Sequence, residues 1–151
     1  MTNANQPHVS LVVPVYNEVD NIGPLHAAID AALADIDYEL VIVNDGSEDG
    51  SDAALQQLGD EQNRVRVIHF VRNYGQTAAL TAGILHARAP IIVTLDADLQ
   101  NDPADIPSML ERLDEADVIC GWRKDRKDPW LSRTLPSRLA NALISKLSNV
   151  P

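Results

Sequence analysis

Asp96 and Asp98, separated by one residue, are the strongest candidates for chemistry, and Gln100 follows them with a third side-chain oxygen. Side chains two positions apart on an extended chain lie on the same side, so both carboxylates should converge on one point. Two carboxylates that close repel each other unless a cation lies between them. Hard oxygen ligands suit Mg²⁺ or Mn²⁺, which usually also bind oxygens of a diphosphate. We therefore predict a metal site at Asp96, Asp98 and Gln100, with a solvated acidic loop as the alternative.

Polar residues also follow two earlier apolar segments. Pro14, Tyr16 and Glu18 come at the end of the first segment, where proline marks the end of strand pairing. Tyr16 offers an aromatic face, and Glu18 offers an acceptor for a base or a ribose. Asp45 follows the second segment, and an acidic residue after a buried strand can accept hydrogen bonds from a nucleotide. At each place an ordinary polar turn is the alternative.

Three arginines are candidate anion-binding residues. Arg72 opens Arg-Asn-Tyr-Gly, where a glycine and a helix start would favour an anion, although Arg72 could equally pair with a surface carboxylate. Arg123 and Arg133 lie in a basic carboxyl-terminal segment, and guanidinium groups match phosphate oxygens. Leucines recur every fourth residue from 131 to 147. They predict an amphipathic helix that either packs on the core or lies on a membrane interface.

Alternating strands and helices must position these residues. Apolar, β-branched runs predict buried strands at 9–15, 38–43, 65–70 and 90–95, with a shorter fifth at 117–120. Helices are predicted at 24–34, 51–58, 76–87 and 103–113, the last capped by Asp102. This order predicts an α/β fold, a mostly parallel sheet with flanking helices. Ligands of such sheets bind at the carboxyl ends of the strands, where every motif above falls.

Composition narrows the function classes. The chain has 151 residues, a net charge of −10 and 45% hydrophobic residues, enough for one globular domain. Residues 1–63 contain 12 acidic and no basic side chains, whereas residues 118–151 contain seven basic and two acidic ones. This asymmetry argues against a nucleic-acid partner. It suits a protein that meets an anion or an anionic membrane surface at one end, with a solvated charged surface as the alternative.

Three segments are expected along the chain. Residues 1–7 should be a disordered amino-terminal tail, because they are polar and lack the features of a signal peptide. Residues 8–128 should form the α/β domain, and residues 129–151 an amphipathic basic helical segment. The single Cys120 fits a reducing compartment. The sequence contains no run of about 18 apolar residues, so no membrane span is predicted.

Together and in this order, the motifs resemble the family 2 glycosyltransferases of the GT-A fold. The resemblance is greatest to polyprenyl-phosphate sugar transferases, the dolichol-phosphate mannosyltransferase and undecaprenyl-phosphate glycosyltransferase group. It extends from about residue 8 to the end of the chain. The motifs that carry it are Val-Pro-Val-Tyr-Asn-Glu at 13–18, Asn-Asp-Gly-Ser at 44–47, Arg-Asn-Tyr-Gly at 72–75, Asp-Ala-Asp-Leu-Gln at 96–100 with Pro103, Gly-Trp-Arg at 121–123, and Arg133 with Ser137.

The resemblance implies roles for these residues. A nucleotide-diphosphate sugar would be the donor, and its nucleoside would be held by Pro14, Tyr16, Glu18 and Asp45. The metal, and through it the diphosphate, would be held by Asp96, Asp98 and Gln100, while Arg123 and Arg133 would face phosphates of donor or acceptor. Arg72 is a further candidate for binding the donor. Among these, Asp96, Asp98 and Arg123 are the expected catalytic residues. The implied reaction is inverting transfer of the sugar to a polyprenyl phosphate at the cytoplasmic, inner face of a membrane.

Two alternatives stay open. A family 2 transferase of cell-wall or exopolysaccharide synthesis would use a hydroxyl acceptor and need a general base. A non-catalytic nucleotide-binding or metal-binding fragment would need neither. Domains of the resembled family normally continue through further strands, an acceptor-side loop and an interface helix. We therefore expect the carboxyl-terminal part of the domain to be missing and nucleotide binding to exceed turnover. An unfinished sheet edge would favour pairing with another copy as a homo-oligomer.

Overall fold

The four longer predicted strands are confirmed as strands by the computed structural model, which describes residues 6–122, but the last two are only partly covered rather than buried as predicted. They are β1 (Val9–Val15), β2 (Tyr38–Asn44), β3 (Val65–His69) and β4 (Ile91–Thr94). All pair in parallel, in the order β3-β2-β1-β4. The carboxyl ends of the strands therefore meet at one edge, and β1 lies where the strand order reverses. The fold is the predicted α/β fold, a parallel sheet with flanking helices.

Helices cover both faces of this sheet. They are α1 (Val19–Ala32), α2 (Ser51–Glu61), α3 (Gln76–His86) and, after a 3-10 turn at Pro103–Asp105, α4 (Ile106–Leu110). The predicted cap is confirmed, because the Asp102 carboxylate accepts a hydrogen bond from the Ala104 amide at 2.9 Å. The last helical segment is split and ends earlier than predicted.

Helix α1 begins at Val19 rather than at the predicted Pro24, which lies inside the helix. The reason is capping from a distant loop. The amide of Glu18 donates to Ser51 Oγ at 3.1 Å, and the amide of Val19 donates to Asp49 Oδ2 at 3.1 Å. Satisfying these otherwise orphaned donors lets the helix start before its proline.

The core lies on both sides of β1 and β2. Every residue of β2 is buried, as expected for a strand covered on both faces. One face packs against Ile29 of α1, Leu33 directly after α1, and Leu55 of α2. On the other face α3 approaches closely, since a Cβ on Gly83 would lie 2.3 Å from Val12 Cγ1. This packing fixes the strands whose ends carry the polar motifs.

The predicted fifth strand at 117–120 is wrong, because these residues form no strand and Val118 is 74% exposed. A strand needs a neighbour that accepts its backbone hydrogen bonds, and an apolar, β-branched run alone does not supply one. Within residues 6–122, β4 pairs only with β1.

The described residues up to Ile119 form one compact unit. Arg123, Arg133 and the segment 129–151 lie outside the described residues, as do residues 1–5 of the expected tail. In the part of the chain that is described, no helix is both long and apolar enough to span a membrane.

Candidate functional site

A cavity of about 340 Å³ opens at the carboxyl edge of the sheet. It lies where the strand order reverses, between the ends of β1 and β4, and such crevices are the usual ligand sites of open α/β sheets. The structure brings together six of the predicted site residues in its walls: Pro14, Tyr16, Glu18, Asp45, Asp96 and Asp98.

Asp96 and Asp98 extend beyond β4 with both carboxylates exposed. Leu95 and Ala97, which alternate with them, are 7% and 5% exposed and anchor this segment in the core. The alternation puts both carboxylates on the open side of the chain, as the spacing predicts. Each accepts one described hydrogen bond: Asp96 Oδ1 from Gln76 Nε2 at 2.8 Å, and Asp98 Oδ1 from the Gln100 amide at 3.0 Å.

The turn after Asp98 has an unusual backbone. Leu99 has a φ of 58°, in the left-handed region that side-chain-bearing residues rarely adopt. This conformation turns the Gln100 amide back toward the Asp98 carboxylate. It costs about 1 kcal/mol for a residue such as leucine. Strain of this kind concentrates at functional sites.

The donor set at this edge fits a hard divalent cation that shares its coordination with another ligand. Two carboxylates supply at most four oxygens, whereas Mg²⁺ takes six oxygen ligands. Oxygens of a diphosphate and of water are the usual complement. Within residues 6–122, no group of three or more His, Cys, Asp or Glu side chains could hold a metal ion. The side chain of Gln100 does not line the cavity, so its role as a ligand stays a prediction.

Asp45 has a structural role that the sequence did not reveal. It is 3% exposed, and its two oxygens accept hydrogen bonds from the amides of Tyr74 at 2.7 Å and Gly75 at 2.9 Å. The loop after β3 is thereby tied to the end of β2. The predicted contact between Asp45 and a nucleoside stays a prediction, although Asp45 does line the cavity.

The loops after β2 and β3 also touch through their backbones. Gly46 has a φ of 70°, and a Cβ there would lie 2.3 Å from the carbonyl carbon of Arg72. Only glycine fits both the left-handed conformation and the close approach. The Gly in Asn-Asp-Gly-Ser was the available sequence signal for this contact.

A second set of hydrogen bonds ties the loop after β1 to the loop after β2. The amide of Asn17 donates to Ser47 Oγ at 2.9 Å, and Asn17 Oδ1 accepts from the Glu48 amide at 2.8 Å. The Ser51 hydroxyl above all, assisted by the Val19 amide, holds the pKa of Asp49 below its ordinary value. These contacts fix the wall of the cavity that carries Tyr16 and Glu18.

Arg72 lies outside this cavity. It lines a neighbouring one of about 670 Å³, together with Tyr16. Its guanidinium carbon is 4.9 Å from the centre of the Tyr74 ring, a cation–π contact. The alternative of a surface ion pair is not seen for Arg72 among residues 6–122. Its predicted contact with an anion stays untested.

Gln76, Asn73 and Gly75 also line the first cavity. Sequence analysis placed Asn73 and Gly75 in the Arg-Asn-Tyr-Gly motif, where the glycine was expected to favour an anion, and gave Asn73 and Gln76 no role of their own. The position of Gln76 directly after Gly75, at the start of a predicted helix, was the one available signal.

The chain is similar to known proteins over nearly its whole length. The model of glycosyl transferase family 2 matches residues 10–149. Dodecaprenyl-phosphate galacturonate synthase of Rhizobium johnstonii is 46% identical over 147 residues, which cover 94% of this chain and 44% of that protein. Undecaprenyl-phosphate 4-deoxy-4-formamido-L-arabinose transferase of Edwardsiella ictaluri is 42% identical over 142 residues, covering 91% and 43%. The chain thus spans less than half the length of these relatives.

Solved structures show the same fold. A mannosyltransferase from Pyrobaculum calidifontis in complex with GDP-Man and Mn²⁺ superposes with a TM-score of 0.62 at 25% identity. The superposition covers 73% of this chain and 33% of that one. S. aureus TarS 1-349 gives a TM-score of 0.61 at 19% identity, covering 80% and 38%.

Proposed function

We propose, from the premise that this chain belongs to glycosyl transferase family 2, that the carboxyl-edge cavity binds a nucleotide-diphosphate sugar with Mg²⁺ or Mn²⁺. The whole protein would transfer the sugar to a polyprenyl phosphate. The observation that carries the proposal is the convergence of Asp96 and Asp98 with the ends of β1 and β2 around one cavity. The structural relative that holds GDP-Man and Mn²⁺ supports a divalent cation here.

The nucleoside would lie between the ends of β1 and β2. Tyr16 is 45% exposed and offers its ring for stacking, while Glu18 offers a carboxylate that already accepts a hydrogen bond from Asn21 Nδ2. Asp45 would act mainly by fixing the backbone of the opposing loop. These side chains would hold the donor in one orientation.

The diphosphate would lie toward β4. Asp96 and Asp98 would hold the cation, with Gln100 as a further candidate ligand. A bound cation offsets the negative charge that develops on a departing nucleoside diphosphate. Arg123 is the candidate residue for contacts with donor or acceptor phosphates, and Arg133 is another.

The acceptor is proposed from kinship. Both curated relatives have names that specify a prenyl-linked phosphate. In an inverting transfer, an acceptor phosphate oxygen bonds to the anomeric carbon while the bond to the nucleoside diphosphate breaks and its electron pair leaves with the diphosphate. A phosphate monoester is already anionic near neutral pH, so no side chain has to take a proton. The reaction would occur at the inner face of the cytoplasmic membrane.

Calorimetric titration of the 151-residue chain with UDP and GDP, with and without Mn²⁺, tests the donor site. We expect one nucleotide to bind, and to bind more tightly with Mn²⁺. A panel of UDP-glucose, GDP-mannose and UDP-N-acetylglucosamine would then identify the sugar. Absence of binding by both nucleotides would overturn the proposal.

Asp98→Ala should weaken Mn²⁺-dependent nucleotide binding by at least about 100-fold, because losing a direct ligand should cost more than losing an outer partner. Asp114→Ala is the matched control, since Asp114 is also exposed but does not line the cavity. Equal binding by the two variants would contradict the assignment of the metal site.

A further inference from the structure

We infer that Gln76 is a positioning residue for Asp96, fixing the carboxylate that the cation would bind. This inference rests on the proposed function. It concerns the hydrogen bond of 2.8 Å from Gln76 Nε2 to Asp96 Oδ1. An ionised carboxylate can accept hydrogen bonds but cannot donate them. The side-chain nitrogen of Gln76, and not its oxygen, must therefore face Asp96.

The backbone at Gln76 is held on its amino-terminal side. Gln76 is the first residue of α3, and Gly75 before it has a φ of 94°, which glycine adopts at little cost. The amides of Tyr74 and Gly75 are both bound by the buried Asp45. Asp45 thus fixes the start of α3, and Gln76 carries that constraint across the cavity to Asp96.

An amide suits this position because it is a neutral donor. By occupying Oδ1, Gln76 restricts rotation of the Asp96 carboxylate and leaves Oδ2 for the cation. It does so without neutralising any of the negative charge that attracts a cation. Partners of this kind orient metal-binding carboxylates in many sites.

The bond should matter for binding more than for folding. Gln76 and Asp96 are both exposed, so water can replace the hydrogen bond when it is lost. A substitution at Gln76 should therefore leave unfolding almost unchanged. Any effect should appear when a cation and a nucleotide occupy the cavity.

The test measures Mn²⁺ affinity directly, by electron paramagnetic resonance of free Mn²⁺ in the presence of saturating UDP or GDP. Gln76→Ala and the shorter Gln76→Asn should each weaken Mn²⁺ binding by about 10-fold, the low end for outer partners, because this one is exposed. Nucleotide binding without Mn²⁺ should not change. Gln57→Ala is the matched control, since it removes a similar amide–carboxylate bond, to Glu61 at 2.7 Å, on α2.

The outcomes separate the two proposals. Weaker Mn²⁺ binding in both Gln76 variants, but not in Gln57→Ala, supports the inference. Wild-type affinity in the Gln76 variants overturns it and leaves the proposed function standing. An equal loss of nucleotide binding with and without Mn²⁺ also overturns it, because that indicates general damage to the cavity. If the wild-type chain shows no Mn²⁺-dependent binding, the proposed function fails, and the inference fails with it.

Discussion

The carboxylates at the two ends of the sheet differ in burial and in hydrogen bonding. At the amino end, Glu39 of β2 is 2% exposed. Its Oε1 accepts from Ser10 Oγ at 2.7 Å and from the Arg88 amide at 2.6 Å. Its Oε2 accepts from Arg88 Nε at 2.8 Å and from Arg66 Nη1 at 3.1 Å. At the carboxyl end, Asp96 and Asp98 are exposed, and each accepts one described bond.

This difference separates a carboxylate that stabilises the fold from one that is available to a ligand. A buried charge is tolerated only when it is paired and hydrogen-bonded, and Glu39 meets both conditions. The exposed pair has acceptor capacity left for a cation. Asp45 is an intermediate case, because it lies at the carboxyl end of the sheet but is buried and accepts hydrogen bonds through both oxygens.

Glu39→Gln should produce the largest loss of stability. The variant places an amide donor against arginine donors and the Ser10 hydroxyl, so several bonds are lost at a buried position. We expect the free energy of unfolding to fall by about 3 kcal/mol, the low end for a broken buried pair, because both arginines reach solvent. Urea denaturation measures this. A change below about 0.5 kcal/mol would mean that Glu39 does not hold the strands together.

Asp45→Asn should cost less, about 2 kcal/mol, because one of the two backbone amides that donate to this buried side chain loses its acceptor. The loop from Arg72 to Gly75 should loosen at the same time. Hydrogen exchange of the Tyr74 and Gly75 amides, measured beside urea denaturation, should be faster in the variant. Unchanged exchange would contradict the role of Asp45 in holding this loop.

Acid should destabilise the protein partly through Glu39. Burial alone would raise the pKa of Glu39, but hydrogen bonds from Ser10, Arg88 and Arg66 outweigh it and hold the pKa below its ordinary value of 4.5. A lowered pKa gives stability that is present above the unfolded value and is lost as the pH falls through the folded value.

Unfolding free energies between pH 6 and pH 3 should therefore fall below about pH 4.5. The fall should be shallower in Glu39→Gln, which has no carboxylate to protonate at this position. The same slope in both proteins would show that other carboxylates, such as Asp49, account for the acid sensitivity.

Asp98→Asn should have the smallest effect on stability. The side chain is exposed, and the change removes repulsion from Asp96, so the free energy of unfolding should stay within about 0.5 kcal/mol of the wild type. If urea denaturation shows that the free energy of unfolding falls by more than about 1 kcal/mol, Asp98 also stabilises the fold, and the two ends of the sheet do not differ in this respect.

Much of the fold could be predicted from the sequence because local signals agreed with the final packing. The strands β1 and β2 are apolar runs that end up buried, β3 and β4 form although they are only partly covered, and Asp102 caps its helix as its residue type suggests. The run at 117–120 carries the same β-branched signal, yet it forms no strand. Strand formation depends on a neighbouring backbone, which sequence pattern does not specify.

The sequence predicted which residues line the candidate site better than it predicted the hydrogen bonds between them. Strand ends and the spacing of Asp96 and Asp98 sufficed to gather six residues around one cavity. The bond from Gln76 to Asp96 and the bonds from Asp45 to the next loop join residues 20 to 30 positions apart. Such contacts depend on side-chain directions in three dimensions, which spacing along the chain does not encode.

The close backbone contact between Gly46 and Arg72 has a consequence for protein engineering. Because the backbone of Gly46 lies against Arg72 and Asn73, and Asp45 binds the amides that follow, residues 44–51 and 70–76 can only be exchanged together. A chimera that takes only one of these loops from a relative would combine two loops whose contacting residues come from different proteins. A transplant between relatives should therefore move both loops as a pair, with the glycine included.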